Sequence, residues 1–266
     1  MIMNVTLPPM ILTSISNAQG ADKLAILKYL IVGSLIYLCL PFLARIFTLL
    51  LRVKKEERGL YDLFFVFSNA MFMGYPVAAT IYGDGVIFYI SIFHMLFNFL
   101  YFSYGIKQIQ NSAHTSEKMQ WKNVLNPGMI ASVAALLLFF FDIMLPSSVI
   151  TVLTFVGNIS TPMSMIIIGA TLGSYSLSSM FEEKRIYAVT ILRLIVIPVL
   201  VYFLLTAFGF DGKLRGTAVI TIAMPVASMV SMTCTQYQKN EKTASSVVAF
   251  TTICSLITIP VLLSVF

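Results

Sequence analysis

Long apolar runs separated by short polar breaks dominate the chain. Hydrophobic segments lie at roughly 4–17, 25–51, 60–81, 85–107, 124–145, 148–175, 185–208, 214–236 and 243–266, nine in all. Breaks such as Arg52–Arg58 and Lys239–Lys242 are too short to hold a soluble domain. A bilayer core accommodates about 20 consecutive apolar residues in a helix, so the pattern predicts an all-α, multi-pass membrane protein. Four segments carry proline in unusual company: Val5-Thr6-Leu7-Pro8-Pro9, Asn69–Pro76, Ser160-Thr161-Pro162 and Ala223-Met224-Pro225. Proline inside a helix removes one donor and clashes with the carbonyl four residues back. Pro76 would free the carbonyl of Phe72, and Pro225 that of Thr221. In lipid such a carbonyl must be satisfied by protein, water or a ligand. Pro41, Pro198 and Pro260 read as kinks.

The breaks recur in order. Pro8 to Pro76 is 68 residues and Pro162 to Pro225 is 63, with one unbroken segment inside each pair and another after it. Paired interrupted segments in corresponding positions of two halves point to a transporter site. The predicted architecture is therefore two inverted repeats of five helices, 1–107 and 124–266, joined by a polar cytoplasmic linker at 108–123, with broken helices around Pro76 and Pro225. The first repeat shows four segments, so the expectation is that its first helix is missing.

Composition agrees: 58% of the 266 residues are hydrophobic and 11% charged, against about 25% charged in ordinary globular domains. The formal charge of +6 gathers at segment ends, which suits the membrane surface and excludes nucleic acid as the partner. Alternating the breaks puts 11 of the 17 Lys and Arg on one side and 4 on the other. By the positive-inside rule the rich side is cytoplasmic, in a cell membrane, and the C-terminus falls outside. Cys39, Cys234 and Cys254 lie far apart in apolar segments and read as packing residues. No metal or cofactor is expected.

Several pieces resemble the auxin efflux carrier family of permeases, which includes bacterial malate or organic-acid permeases and the plant auxin carriers. They are Val5-Thr6-Leu7-Pro8, Ser68–Pro76, Leu125-Asn126-Pro127, Thr161–Ala170, Arg193–Pro198 and Ala223-Met224-Pro225. The resemblance implies a ten-helix fold whose fourth and ninth helices unwind and cross, and a small organic anion as substrate, such as malate or an auxin-like acid. By the same resemblance the position of Asn69 contributes to the substrate site.

The residues themselves are compatible with an anion. All eleven Asp and Glu lie at or near segment ends, which disfavours a membrane-embedded carboxylate for proton or sodium coupling. Broken helices present N-termini whose free N–H groups favour a carboxylate. Val77 and Ala78 after Pro76, and Val226 and Ala227 after Pro225, are the expected donors. Asn69 could donate its amide to the substrate or bond another helix. Gly74 and Ser228 would permit unwinding, and Thr161 with Pro162 completes the candidate set. Arg193 would either snorkel to the cytoplasmic surface or place a charge at an inner vestibule, while Arg45 reads as a snorkeller. His94 reads as a packing histidine, with proton coupling as the other reading and Asn98 as a candidate partner. The competing functions are a carrier like the sodium–bile-acid symporters and a truncated, non-transporting membrane protein. Two His and no acidic cluster do not make an enzyme site. A second copy of the chain is a further candidate partner beside the lipid bilayer.

Overall fold

The computed structural model describes residues 3–18, 22–113, 125–173, 184–210 and 212–265. Within them the chain is helical, with an isolated antiparallel bridge between Ser68 and Val226 as its β pairing. In order the helices are α1 (Met3–Ala18), α2 (Lys23–Leu50), α3 (Arg58–Val66), α4 (Tyr75–Tyr82), α5 (Val86–Leu100) and α6 (Ile106–Ala113). There follow α7 (Pro127–Phe140), α8 (Ser147–Gly157), α9 (Ser160–Gly173), α10 (Arg185–Ile191), α11 (Ile197–Ala207), α12 (Gly212–Ala223), α13 (Ser228–Gln236) and α14 (Glu241–Val265). Wide π turns at Ala70–Gly74, Tyr101–Gly105 and Leu192–Val196 lead into α4, α6 and α11.

Among the described residues five helical runs are long and apolar enough to cross a membrane: Lys23–Leu50, Val86–Gln110, Ser147–Ala170, Arg185–Ala207 and Glu241–Ser264. The run through α5 is 67% buried and that through α8 and α9 only 17%. The first therefore stands at the centre of the bundle and the second at its lipid-facing edge. Of the expected linker, residues 108–113 continue α6, and 114–123 lie outside the described residues.

Local chemistry accounts for the helix ends. Asp22 accepts the amide of Leu24 at 3.0 Å at the start of α2, and Asn126 accepts that of Met129 at 3.0 Å at the start of α7. An Asn cap followed by proline is a strong helix start, which gives Asn126-Pro127 a structural role. The Asn126 amide also donates to the side-chain oxygen of Asn98 at 3.0 Å, tying α7 to α5. Asn98 in turn donates to the backbone carbonyl of His94, so it does not serve the His94 ring.

The prolines do less than the sequence suggests at two places. Helix α1 runs unbroken through Pro8 and Pro9. The carbonyls these residues would free belong to Asn4 and Val5 in its first turn, so the helix gives up two bonds there without breaking. The partner break is real but lies upstream of its proline: α8 ends at Gly157 and α9 starts at Ser160, with Pro162 in the first turn. Gly157 explains the break's location. A Cβ there would stand 2.9 Å from the Met10 nitrogen and 3.0 Å from its Cα, so the α1 and α8 backbones nearly touch. Gly157→Ala should therefore cost about 1–3 kcal/mol through overpacking, seen as a lower melting temperature in detergent. An unchanged melting temperature would mean that α1 and α8 do not meet there.

Arg45 and Asp62 also correct the expectation. Asp62 is fully buried and holds Arg45 in a 2.9 Å ion pair, with Thr48 donating to it at 2.7 Å and Tyr104 at 3.4 Å. Arg45 serves this carboxylate rather than simply reaching for the surface. A carboxylate near a segment end can still be buried when neighbouring helices cover it.

Candidate anion site at the helix crossing

The site is built from two stretches that abandon helix within the protein interior. Phe67, Ser68 and Asn69 separate α3 from the π turn, and Met224 to Ala227 separate α12 from α13. All seven residues except Pro225 are at most 3% exposed by residue, and Pro225 is buried too. The stretches run antiparallel and bond to each other. The Asn69 amide donates to the Pro225 carbonyl at 2.8 Å, and the Ala227 amide donates to the Phe67 carbonyl at 3.0 Å. The Val226 amide donates to the Thr251 hydroxyl of α14 at 3.3 Å. Backbone that leaves helical geometry at this depth must find partners in protein, and most of it finds them in the other strand.

This geometry moves the expected donors. Val226 and Ala227 spend their N–H groups on Thr251 and Phe67, so they are not free for a ligand. On the other side the break falls at Phe67–Asn69 rather than at Pro76. The helical backbone then runs continuously from Ala70 to Tyr82, placing Val77 and Ala78 well inside it. Pro76 sits at the start of α4, directly after the π turn. The extra residue in a π turn relieves the clash of a proline ring with the carbonyl four residues back. Pro198 follows the Leu192–Val196 turn in the same way. The Tyr101–Gly105 turn has no proline after it, so proline accompanies these turns without being required for them.

The helical backbone restarts at Ala70, whose own amide donates to the Ser68 carbonyl at 2.8 Å, and at Ser228. Neither Asn69 nor Ala227 caps its helix with a side chain. Between the two helix starts, the Asn69 amide nitrogen donates to the Ser228 hydroxyl in a long 3.4 Å contact. Asn69 and Ser228 are thus brought together by the fold. Gly74 packs on Met224 of the opposite stretch at ordinary contact distance, so it marks close approach without demanding glycine. Thr161 lies in the first turn of α9, which packs on the π turn and α4, and it lines a cavity of about 300 Å³ with Met10, Thr13, Ser14, Asp84 and Asn158. Thr161 belongs with that cavity rather than with the Asn69–Ser228 pair, and Pro162 follows it in the first turn of α9.

Arg193 does not reach the surface. It lies in the Leu192–Val196 turn, is fully buried, and its Nη1 donates to the Phe65 carbonyl at 3.2 Å, just before the first crossing stretch. Sequence reasoning missed its surroundings. The Tyr37 hydroxyl of α2 lies close enough to interact electrostatically with it, Ser68 lies beside Tyr37, and Tyr75 is also within range of Tyr37. Ser68 was visible only as part of a motif, and Tyr37 as one of twelve Tyr. It also missed Tyr101, whose hydroxyl pairs with Thr233 at 2.6 Å and donates to the Met229 carbonyl at 2.9 Å, fixing α13 against α5. His94 is buried with its ring stacked on Phe97 at 5.5 Å and set edgewise to Tyr75 at 5.8 Å. Among the described residues no group of three His, Cys, Asp or Glu could hold a metal.

Comparison with known proteins agrees with this reading of the fold. A family model described as membrane transport protein matches residues 1–263. An uncharacterized transporter of Methanocaldococcus jannaschii is 24% identical over 270 residues, spanning 97% of this chain and 85% of that protein. With a whole-chain family match, apolar helices and a buried helix crossing, the chain belongs to the membrane transport protein family, the auxin efflux carriers, and is a membrane transporter.

Proposed function

We propose that the protein is a secondary carrier that moves a small organic anion across the cell membrane by alternating access, with the transported carboxylate held at the helix crossing. The observation that carries this reading is the pair of helix N-termini without side-chain caps, at Ala70 and Ser228, joined by the contact between the Asn69 and Ser228 side chains. Such termini carry partial positive charge and unused N–H donors, and the same device holds substrate carboxylates in other broken-helix carriers. The Asn69 amide supplies a further donor. Its contact with Ser228 is long enough to be exchanged for a substrate oxygen at little cost.

In this reading residues 1–107 and 124–266 are inverted repeats joined through 108–123, with the two crossing stretches as equivalent elements and the C-terminus outside. Gly74, Pro76 and Val77 shape the first half of the site, Pro225 and Val226 the second, and Thr161, held by the turn at Pro162, a polar approach from the neighbouring cavity. The one buried carboxylate met near this region, Asp62, is already balanced by Arg45, which supports transport without a sodium site.

Purified protein in proteoliposomes, loaded with unlabelled and then given labelled malate or indole-3-acetate, tests this. The expected result is counterflow above protein-free vesicles, equal in sodium and potassium buffers. Absence of counterflow with both acids would overturn the anion reading, and strict sodium dependence would favour a symporter like the bile-acid carriers.

A further inference from the structure

Behind the crossing lies a second group of polar atoms that transport at Asn69 does not use. Arg193 is fully buried, and of its nitrogens Nη1 alone has an acceptor, the Phe65 carbonyl. Its Nε and Nη2 have none among the described residues, the Tyr75 hydroxyl has none either, and the hydroxyls of Tyr37 and Ser68 meet no partner but each other. Ser68 and Asn69 are consecutive in an extended stretch yet meet different neighbours. Asn69 meets Ser228 of α13, whereas Ser68 lies beside Tyr37 of α2.

A guanidinium cannot shed its proton in a protein, so burial leaves a full positive charge to be balanced. Among the described residues no carboxylate stands beside Arg193, and Asp62 is taken by Arg45. The C-terminus of α3, where Phe65 lies, offers only about half a unit of negative charge. An unpaired buried charge is among the most costly arrangements a protein can hold. Unused donors on Arg193, with the Tyr75 hydroxyl and one free O–H of the Tyr37–Ser68 pair beside them, are what a negative ion requires.

We propose that Arg193, with the hydroxyls of Tyr37, Ser68 and Tyr75, forms an anion site distinct from the Asn69–Ser228 pair, and that it takes one compact monovalent anion, either a halide or a single carboxylate group. The bound anion neutralises Arg193 and braces the first crossing stretch through Ser68. Because it sits against Phe65 and Ser68, its occupancy sets how firmly the crossing is held, whatever the carrier transports.

The test uses the purified full chain in detergent. Sodium chloride or sodium acetate is titrated against sodium methanesulfonate at constant ionic strength, and the melting temperature is followed. The wild-type protein should show a saturable rise with chloride, acetate or both, because a ligand that binds only the folded state stabilises it. Arg193→Gln should lose the rise, and Tyr37→Phe or Ser68→Ala should weaken apparent affinity several-fold. Saturation by chloride alone identifies a resident halide, and saturation by acetate in competition with chloride identifies a carboxylate site. No saturable rise in the wild type, or an equal rise in Arg193→Gln, overturns the proposal. If Arg193→Gln does not fold, Arg193→Lys and the two hydroxyl deletions decide, and unchanged affinity in all three is equally fatal. Failure of organic-anion counterflow with the anion response intact would remove the transport reading and leave this site standing.

Discussion

Asn69→Ala should reduce organic-anion uptake by roughly 10- to 100-fold while the protein still inserts and melts near the wild-type temperature. The two halves of this expectation come from different atoms of one residue. The backbone of Asn69 holds the crossing, donating to the Pro225 carbonyl and accepting from Met73 and Gly74 at 3.1 Å, and alanine keeps all of that. The side chain makes the 3.4 Å contact with Ser228 and little else. Losing so long a bond costs under about 1 kcal/mol of stability. A hydrogen bond to a charged carboxylate is worth roughly 1.5–3 kcal/mol, which is the stated fold-change at about 1.4 kcal/mol per factor of ten. Uptake in proteoliposomes and a melting curve on the same preparation separate the two effects. Wild-type uptake by Asn69→Ala would remove the side chain from the transport path.

Arg45→Ala should be the most destabilising single substitution near the basic face, by about 3 kcal/mol, and Asp62→Ala should cost much less. The asymmetry follows from where the two charges lie. The Asp62 side chain is wholly buried, while that of Arg45 is 41% exposed. Removing Arg45 strands a carboxylate inside the protein, the costly way to break such a pair. Removing Asp62 frees an arginine that can extend to lipid headgroups. Arg45→Ala combined with Asp62→Ala should therefore recover much of the loss seen in Arg45→Ala alone. Equal losses in both single variants, measured by detergent melting, would contradict this.

The sequence made the helical, multi-pass character legible because hydrophobic length is a direct physical requirement of the bilayer. It also made legible that one pair of helices would break, since Pro225 falls within the second unwound stretch. It placed the other break poorly. Pro76 reads as a breaker, but a π turn absorbs its ring, and the unwinding falls at Phe67–Asn69, where no residue forbids helix. That stretch is extended because it pairs with Met224–Ala227 from far along the chain, and long-range pairing leaves no local signal. The same limit hid the ligand donors: Val226 and Ala227 look free until Thr251 and Phe67 are seen to accept from them. Of the two readings of Arg193, the snorkelling one fails for a related reason. Its depth from Arg185 suits a snorkelling side chain, but the π turn and the Phe65 carbonyl draw it inward. Tyr37 and Ser68 are ordinary residues in apolar segments until folding sets them beside it.

The alternating access proposed here requires the crossing to open in turn to each side of the membrane. It is tested most directly by placing a single thiol there, as Asn69→Cys or Ser228→Cys, in a background with Cys39, Cys234 and Cys254 replaced by Ser. An impermeant maleimide is applied to right-side-out and to inside-out vesicles. The account predicts labelling from both sides, slowed on both by the transported organic anion. Labelling from one side only, or labelling that the anion does not slow, would contradict it.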